Sequence, residues 1–479
     1  MIDVFYFYKM PVAVLGLGRS GLATCKALID SDAEVWAWDD NEDSRQRARE
    51  MDIPLVDLYT CNWREVTTLV LSPGIPFHYP EPHPVVNLAK AAGCEVVSDI
   101  ELLARAQRDA AYIGITGTNG KSTTTSLVGH IMQLAGREAD IGGNLGPPAL
   151  SLESLGEGGT YILEMSSYQL DLTVSITWDI AVLLNISPDH LDRHGDMDGY
   201  VAAKRQIFHR QTEPKSAIIG VDDKYCEAIY EDLADAGEQV VVPISGERRI
   251  HGGVDVVNGI LVDDMDGQEV PVTDLKDIPA LQGPHNWQNA AAAYAACRRA
   301  GVEGRVIMAC LQSFPGLVHR QEPVEVVDGV AFINDSKATN AAAAAKALVC
   351  YDTIYWIAGG RPKEGGITGL AEYFPRIKHA YLVGEAALGF GQTLDGKVPF
   401  TISGEVKKAV GQAFAQAKKD KAEKPVVLLS PACASFDQFA SFEDRGDAFK
   451  DAVEALPGKH LDPTEAPDAF RADIAGEAV

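Results

Sequence analysis

Lys121 has the setting in this chain that points most directly to chemistry. It closes the run GITGTNGK, is followed by Ser122 and Thr123, and comes directly after the apolar segment AAYIGIT. A glycine-rich turn between a strand and a helix presents backbone N–H groups, and the helix dipole adds to their pull on phosphate oxygens. In such a turn the lysine reaches the terminal phosphates, and the Ser122 hydroxyl is offered to Mg²⁺. The strict form of the motif wants a further glycine five residues before Gly120, where this chain has Ile115. An ordinary strand–turn–helix corner is the plain alternative.

A second glycine run, GLGRSG at 16–21, also follows an apolar segment, and Asp39 ends the next one 21 residues after Gly18. That is the spacing of a dinucleotide site, although the same turn serves other phosphate-bearing ligands. Further acids and bases gather where other apolar segments stop. Glu164 ends YILE, a position suited to Mg²⁺ if the segment is a parallel strand. NISPDHLDRHG (185–195) crowds Asp189, His190, Asp192 and His194 together, as a site rim or a polar surface loop would. In GPHNWQNAAAA, Asn286 reads as a helix cap with Asn289 one turn on. NDSKATN (334–340), GGRPKEGG (359–366) and SPACASFDQF (430–439) end three more segments, and Asp335, Lys337 and Thr339 suit a sugar and anions.

Loops of this kind converge only if the segments before them are parallel strands. The pattern asks for that: strands alternate with helices in three blocks, 1–107, 108–313 and 314–479, giving an α/β chain of doubly wound sheets. Within them, SDIELLARAQ reads as a linker helix capped by Ser98, with Glu101 completing a capping box. The polar stretch at about 222–275 reads as a β-containing insertion, and the residues from Gly458 onward as a loose acidic tail. The chain has 479 residues, enough for about three domains. Its net charge of −26 argues against a nucleic-acid partner. The eight cysteines are scattered without CxxC pairs, as free thiols in a reducing compartment would be. No run approaches the ~18 apolar residues of a membrane span, and MIDVFYFYKM lacks the marks of a signal peptide, so a cytoplasmic protein is expected.

GLGRSG, SPGI, GITGTNGKST, EMSSYQL, NISPDHLDRH, GPHN, HR, NDSKATN and SPACASFDQF together resemble the Mur ligase family over nearly the whole chain. The resemblance implies three domains: a Rossmann-like one for a UDP-sugar, a P-loop-type central ATPase, and a Rossmann-like C-terminal domain for the amino acid. It implies a monomer acting on ATP, UDP-N-acetylmuramoyl-L-alanine and, given SPACASFDQF and FEDRG (442–446), D-glutamate. Another amino-acid-adding ligase of the family and a nucleotide-dependent oxidoreductase are the alternatives. Carried over by motif, Gly117, Thr118, Asn119, Gly120, Lys121, Ser122 and Thr123 serve the triphosphate, with Asn289, Arg320 and Asp335 on the nucleotide. Glu164 and His190 join Ser122 as Mg²⁺ ligands, and His190 also faces the substrate carboxylate. Lys204, in YVAAKRQIF, matches a lysine that the family carbamylates and so becomes a further metal ligand; by pattern alone it is a solvated helix lysine. Gly18, Arg19, Ser20, Asp39, Ser72, Gly74 and Asn144 are implied along the UDP-sugar. Lys337, Thr339, Lys363, Ser435 and Phe442 are implied around D-glutamate. The loop after Asp39 reads DNED, without the arginine that some members direct at uracil.

Overall fold

The computed structural model describes residues 1–469 except 282, 364, 464, 467 and 468. They form two compact units, one of residues 1–273 and 285–311, the other of 274–284 and 312 onward. Three sheets lie within them.

The first sheet has four parallel strands, Pro11–Leu15, Glu34–Trp38, Thr68–Leu71 and Glu95–Val97, with Pro11–Leu15 and Thr68–Leu71 in the middle. Middle strands are covered on both faces, so Val12, Ala13, Val14 and Leu15 are all buried, as a continuous apolar run requires. The second sheet, in the same unit, has nine strands. Ala111–Thr116 lies between Thr160–Glu164 and Ile180–Leu183, all parallel, so their carboxyl ends open on one edge. The third sheet, in the other unit, has seven strands centred on Val426–Leu429, which runs parallel to both Val330–Asn334 and Ile354–Gly359.

Four local expectations need correction. Ser98 does stand just before the helix Asp99–Ala106, but its side chain makes no cap hydrogen bond. Glu101 is drawn away from the capping box, since its carboxylate accepts from Val174 N, Ser175 N, the Ser175 hydroxyl and Arg105. Asn286 is no cap either: the helix Pro284–Arg299 starts two residues earlier, with proline in the first turn, where its missing N–H costs nothing. The stretch 222–275 does contain strands, but they continue the second sheet instead of standing apart from it. Val240–Ser245 pairs in parallel with Ser216–Gly220, and the following strands extend the same sheet to its edge. Finally, the tail begins with structure, because His460–Leu461 pairs antiparallel with Val326–Val327 and the His460 ring meets the Glu325 carboxylate at 2.5 Å. The acidic residues from 470 on lie outside the described residues.

Candidate active site

The phosphate-type loop sits at the carboxyl end of Ala111–Thr116 and opens the helix Lys121–Leu134. Gly120 has φ +85°, and a β-carbon there would come within 2.0 Å of Asn289 Oδ1, so both the backbone and the neighbour require glycine. The Lys121 ammonium donates to the Gly117 and Thr118 carbonyls at 2.9 and 3.0 Å, folding over the loop it belongs to. Thr118 is fixed by Asn185 O, Ser187 and the Tyr200 hydroxyl.

Lys204 comes to the same loop from the helix Met197–Arg205. Its amine is buried and donates to Gly117 O at 2.9 Å, with Thr116 Oγ1 at 3.4 Å and the Tyr200 ring 4.8 Å away. Burial, reinforced by the Lys121 charge, pulls its pKa down to about 7, so a large share of the amine is neutral near pH 7. The reading of Lys204 as a solvated helix residue is therefore wrong; the helix turns this face inward together with Tyr200 and Ala203.

Glu164, at the end of its strand, is 2% exposed. Asn144 Nδ2 donates to Oε1 at 2.6 Å, while Oε2 is buried without a hydrogen-bond partner. A buried carboxylate oxygen left in this way is costly unless a cation completes it. Among the described residues no trio of His, Cys, Asp and Glu could hold a metal. Mg²⁺ does not need one, since it is commonly held by one or two carboxylates, waters and substrate phosphates. The bare Oε2 of Glu164 suits one such carboxylate. His190 stands on the rim with φ +52°, its ring 3.5 Å from Asp189 and 5.2 Å from the Tyr168 ring. His194 stacks on Tyr168 and meets the Ser167 hydroxyl at 2.9 Å, so the DHLDRH and MSSYQ loops pack on one another.

In the same unit the N-terminal glycine turn is built differently. The Asp39 carboxylate accepts from Leu17 N at 2.7 Å and Asn41 N at 2.8 Å, which holds the turn closed. Ser72 Oγ donates to Gly16 O, Arg19 reaches Gly146 O, and Arg193 reaches Gly74 O. Gly18 has nothing within 4 Å of where a β-carbon would stand, so the space above it is open to a ligand. Ser20 is the second residue of the helix Arg19–Asp30 beside it.

The other unit brings together a second cluster. Asp335 is buried, accepts from Ser430 Oγ at 2.8 Å and Gln321 N at 3.2 Å, and burial pushes its pKa up to about 7. Arg320 is close enough to oppose that rise. The Lys337 ammonium lies 4.0 Å over the Phe442 ring, Thr339 N bonds Lys337 O, and Ser435 is buried in the turn after Val426–Leu429. Lys363 is exposed on its glycine loop. Sequence reading missed Arg445, the buried residue that ties these loops together. Its guanidinium donates to Ser336 Oγ, Ser336 O and Cys433 O, and burial lowers its pKa to about 10. The signal was available, as an arginine in an otherwise acidic helix start, FEDRG.

Comparison with known proteins gives the family. Residues 115–297 match the Mur ligase middle domain. A UDP-N-acetylmuramoylalanine–D-glutamate ligase of Rhodospirillum rubrum is 52% identical over 461 residues, 95% of this chain and 97% of the relative. The chain belongs to the Mur ligase family. Enzymes with the same description from Caulobacter vibrioides and Brucella abortus are 50% and 49% identical, over 95% and 96% of this chain and 98% of each relative. The fold is shared more widely within the family. A UDP-N-acetylmuramate–alanine ligase of Thermotoga maritima superposes with a TM-score of 0.55 at 15% identity, over 93% of this chain and 99% of that one. A MurF of Acinetobacter baumannii gives 0.54 at 18%, over 85% and 96%.

Proposed function

We propose that this chain joins D-glutamate to UDP-N-acetylmuramoyl-L-alanine, with ATP converted to ADP and phosphate, in the building of cell-wall precursors in the cytoplasm. The observation that carries the reading is that the amines of Lys121 and buried Lys204 both reach Gly117 O on one glycine loop, while Glu164, at the end of the strand paired beside it, keeps a buried oxygen uncompensated. Residues 1–107 hold the UDP-sugar, 108–313 hold ATP, and 314 onward hold the amino acid.

The reaction must bring two anions together. An oxygen of the L-alanyl carboxylate attacks the γ-phosphorus of ATP, the bond to the bridging oxygen breaks, and ADP leaves. The amine of D-glutamate then attacks the acyl carbon, phosphate departs, and the amine gives up a proton. Lys121 and the N–H groups at the start of its helix neutralise the phosphoryl oxygens as charge shifts among them. His190 stands on the rim toward the substrate carboxylate. Mg²⁺, when bound by Glu164 and Ser122, supplies further positive charge at the phosphates.

Lys204 enters as a carbamate. An ammonium beside a metal would repel it, whereas a neutral amine adds to CO₂, loses a proton, and becomes a carboxylate-like anion. Its lowered pKa makes the neutral amine available near pH 7. In the second unit, Lys337, Thr339, Lys363, Ser435 and Phe442 offer cations, hydroxyls and a ring face to an amino acid with two carboxylates. Asn289, Arg320 and Asp335 serve the nucleotide, and the chain acts as a monomer without nucleic acid or membrane. The oxidoreductase alternative is weaker, because it gives no part to the Lys121 loop or to the bare oxygen of Glu164.

Phosphate release tests the reading when measured with D-glutamate, L-alanine and meso-diaminopimelate, each with its matching UDP-precursor. Release should depend on D-glutamate and UDP-N-acetylmuramoyl-L-alanine; equal rates with L-alanine and UDP-N-acetylmuramate would overturn it.

A further inference from the structure

The phosphate loop is gripped from its side by a file of primary amides to which the ligase chemistry gives no part. Asn119 N donates to Asn185 Oδ1 at 2.9 Å, and Asn185 Nδ2 donates to Asn119 O at 3.3 Å and to Gln288 Oε1 at 2.9 Å. Gln288 Nε2 then donates to Asp222 Oδ2 at 2.9 Å. Asp222 also accepts from Gly246 N at 2.8 Å and from the Ser245 hydroxyl at 2.5 Å. The file thus runs from the loop, past the ends of two neighbouring strands, to the turn after Val240–Ser245.

Either end of the file fixes the direction of every amide in it. A carboxylate only accepts, so Gln288 must turn its NH₂ toward Asp222 and its oxygen toward Asn185. Asn185 must then donate to Gln288, which leaves its own oxygen for the Asn119 N–H. The loop end demands the same arrangement independently, because a backbone N–H only donates and a carbonyl only accepts. Both ends agree, so no member is left with like groups facing. Gln288 is also confined, being 8% exposed, and a β-carbon on Gly220 would lie 2.9 Å from its Nε2.

The Asn119 N–H is therefore committed to Asn185. What the grip fixes is the chain direction entering Gly120, and with it the aim of the amides that open the Lys121–Leu134 helix. We propose that Gln288 is a positioning residue for the phosphate loop, with Asp222 setting its polarity, so that the pair governs affinity for ATP and leaves affinity for D-glutamate alone. The proposal rests on the ATP-dependent reading of the loop.

Gln288→Glu keeps the size of the side chain but sets a second carboxylate against Asp222 and removes the donor. ATP binding to the full chain, measured calorimetrically with Mg²⁺ and no other substrate, should weaken about tenfold, the loss of one hydrogen bond to a charged group. KM for D-glutamate in the complete reaction should stay within about twofold. Gln288→Met carries the first expectation without a buried charge should Gln288→Glu fail to fold. Unchanged ATP affinity in the single variants, or an equal rise in KM for D-glutamate, would each overturn the proposal. A parent chain that binds ATP but releases no phosphate with D-glutamate would overturn the ligase reading instead, and the binding comparison would still judge the amide file.

Discussion

Two glycine turns in this chain share one local plan, a parallel strand, a tight turn and a helix, yet they are equipped for different work. In GLGRSG the glycines let the turn pack on itself: a β-carbon on Gly21 would lie 1.8 Å from Gly16 O, and one on Gly16 2.7 Å from Ser72 Cβ. The nearby carboxylate of Asp39 accepts from Leu17 N in the turn and from Asn41 N, and Arg19 is directed to Gly146 O. At GTNGKS two amines meet on the loop, and the strand paired beside it ends in a carboxylate with a bare oxygen. A glycine turn at a helix start supplies N–H groups in either case. Neighbouring strand ends and helices decide whether strong charge is added.

The sharpest way to break this contrast is to remove the charge. Lys121→Ala should keep its fold and lose on the order of 10²-fold or more in turnover, since one preorganised cation on a transferring phosphoryl group is worth several kcal/mol. Steady-state phosphate release checks it, and near-parent turnover would dissolve the distinction between the two turns. Lys204→Ala should be nearly inactive and partly restored by acetate, which fills the place of a carbamate. Full activity without any additive would remove Lys204 from the site.

The acid–base behaviour of Lys204 sharpens the same point. With a folded pKa of about 7 against 10.5 for an ordinary lysine, the unfolded chain binds more protons between those values. This group's contribution to stability therefore rises with pH across that window, and below pH 7 its full penalty is present. Carbamate formation needs the neutral amine, so a carbamate ¹³C resonance from labelled bicarbonate should fade as pH falls through about 7. A signal that persists well below that pH would contradict the low amine pKa.

Smaller effects separate the glycines. Gly120→Ala meets both a positive φ and Asn289, so it should lower the melting temperature and weaken ATP binding together. Gly18→Ala meets nothing in the protein, so it should leave the melting temperature unchanged and raise KM for the UDP-precursor only. A shift in melting temperature for Gly18→Ala would mean that its glycine serves the turn. Replacement of the exposed Lys363 by alanine should raise KM for D-glutamate more than KM for ATP. Equal rises would place Lys363 outside the amino-acid pocket.

The sequence by itself determined the alternation of strands and helices, the strand ends where polar residues gather and the family, because apolar runs, glycine turns and motif order are properties of neighbouring residues. It failed where a local preference competed with a distant partner. Ser98 and Glu101 form a capping pattern on paper, but Glu101 is claimed by backbone amides at Val174 and Ser175. Lys204 reads as a surface residue, and only the packing of its helix on the glycine loop buries the amine and lowers its pKa. Asn185, Gln288 and Asp222 are unremarkable in order, since the contacts that join them span 66 to 103 residues. Arg445 likewise reaches back 109 residues to Ser336. Which carboxylate is left uncompensated, which amine loses its proton and which amide faces which way depend on desolvation and on partners far along the chain, and those only the tertiary structure decided.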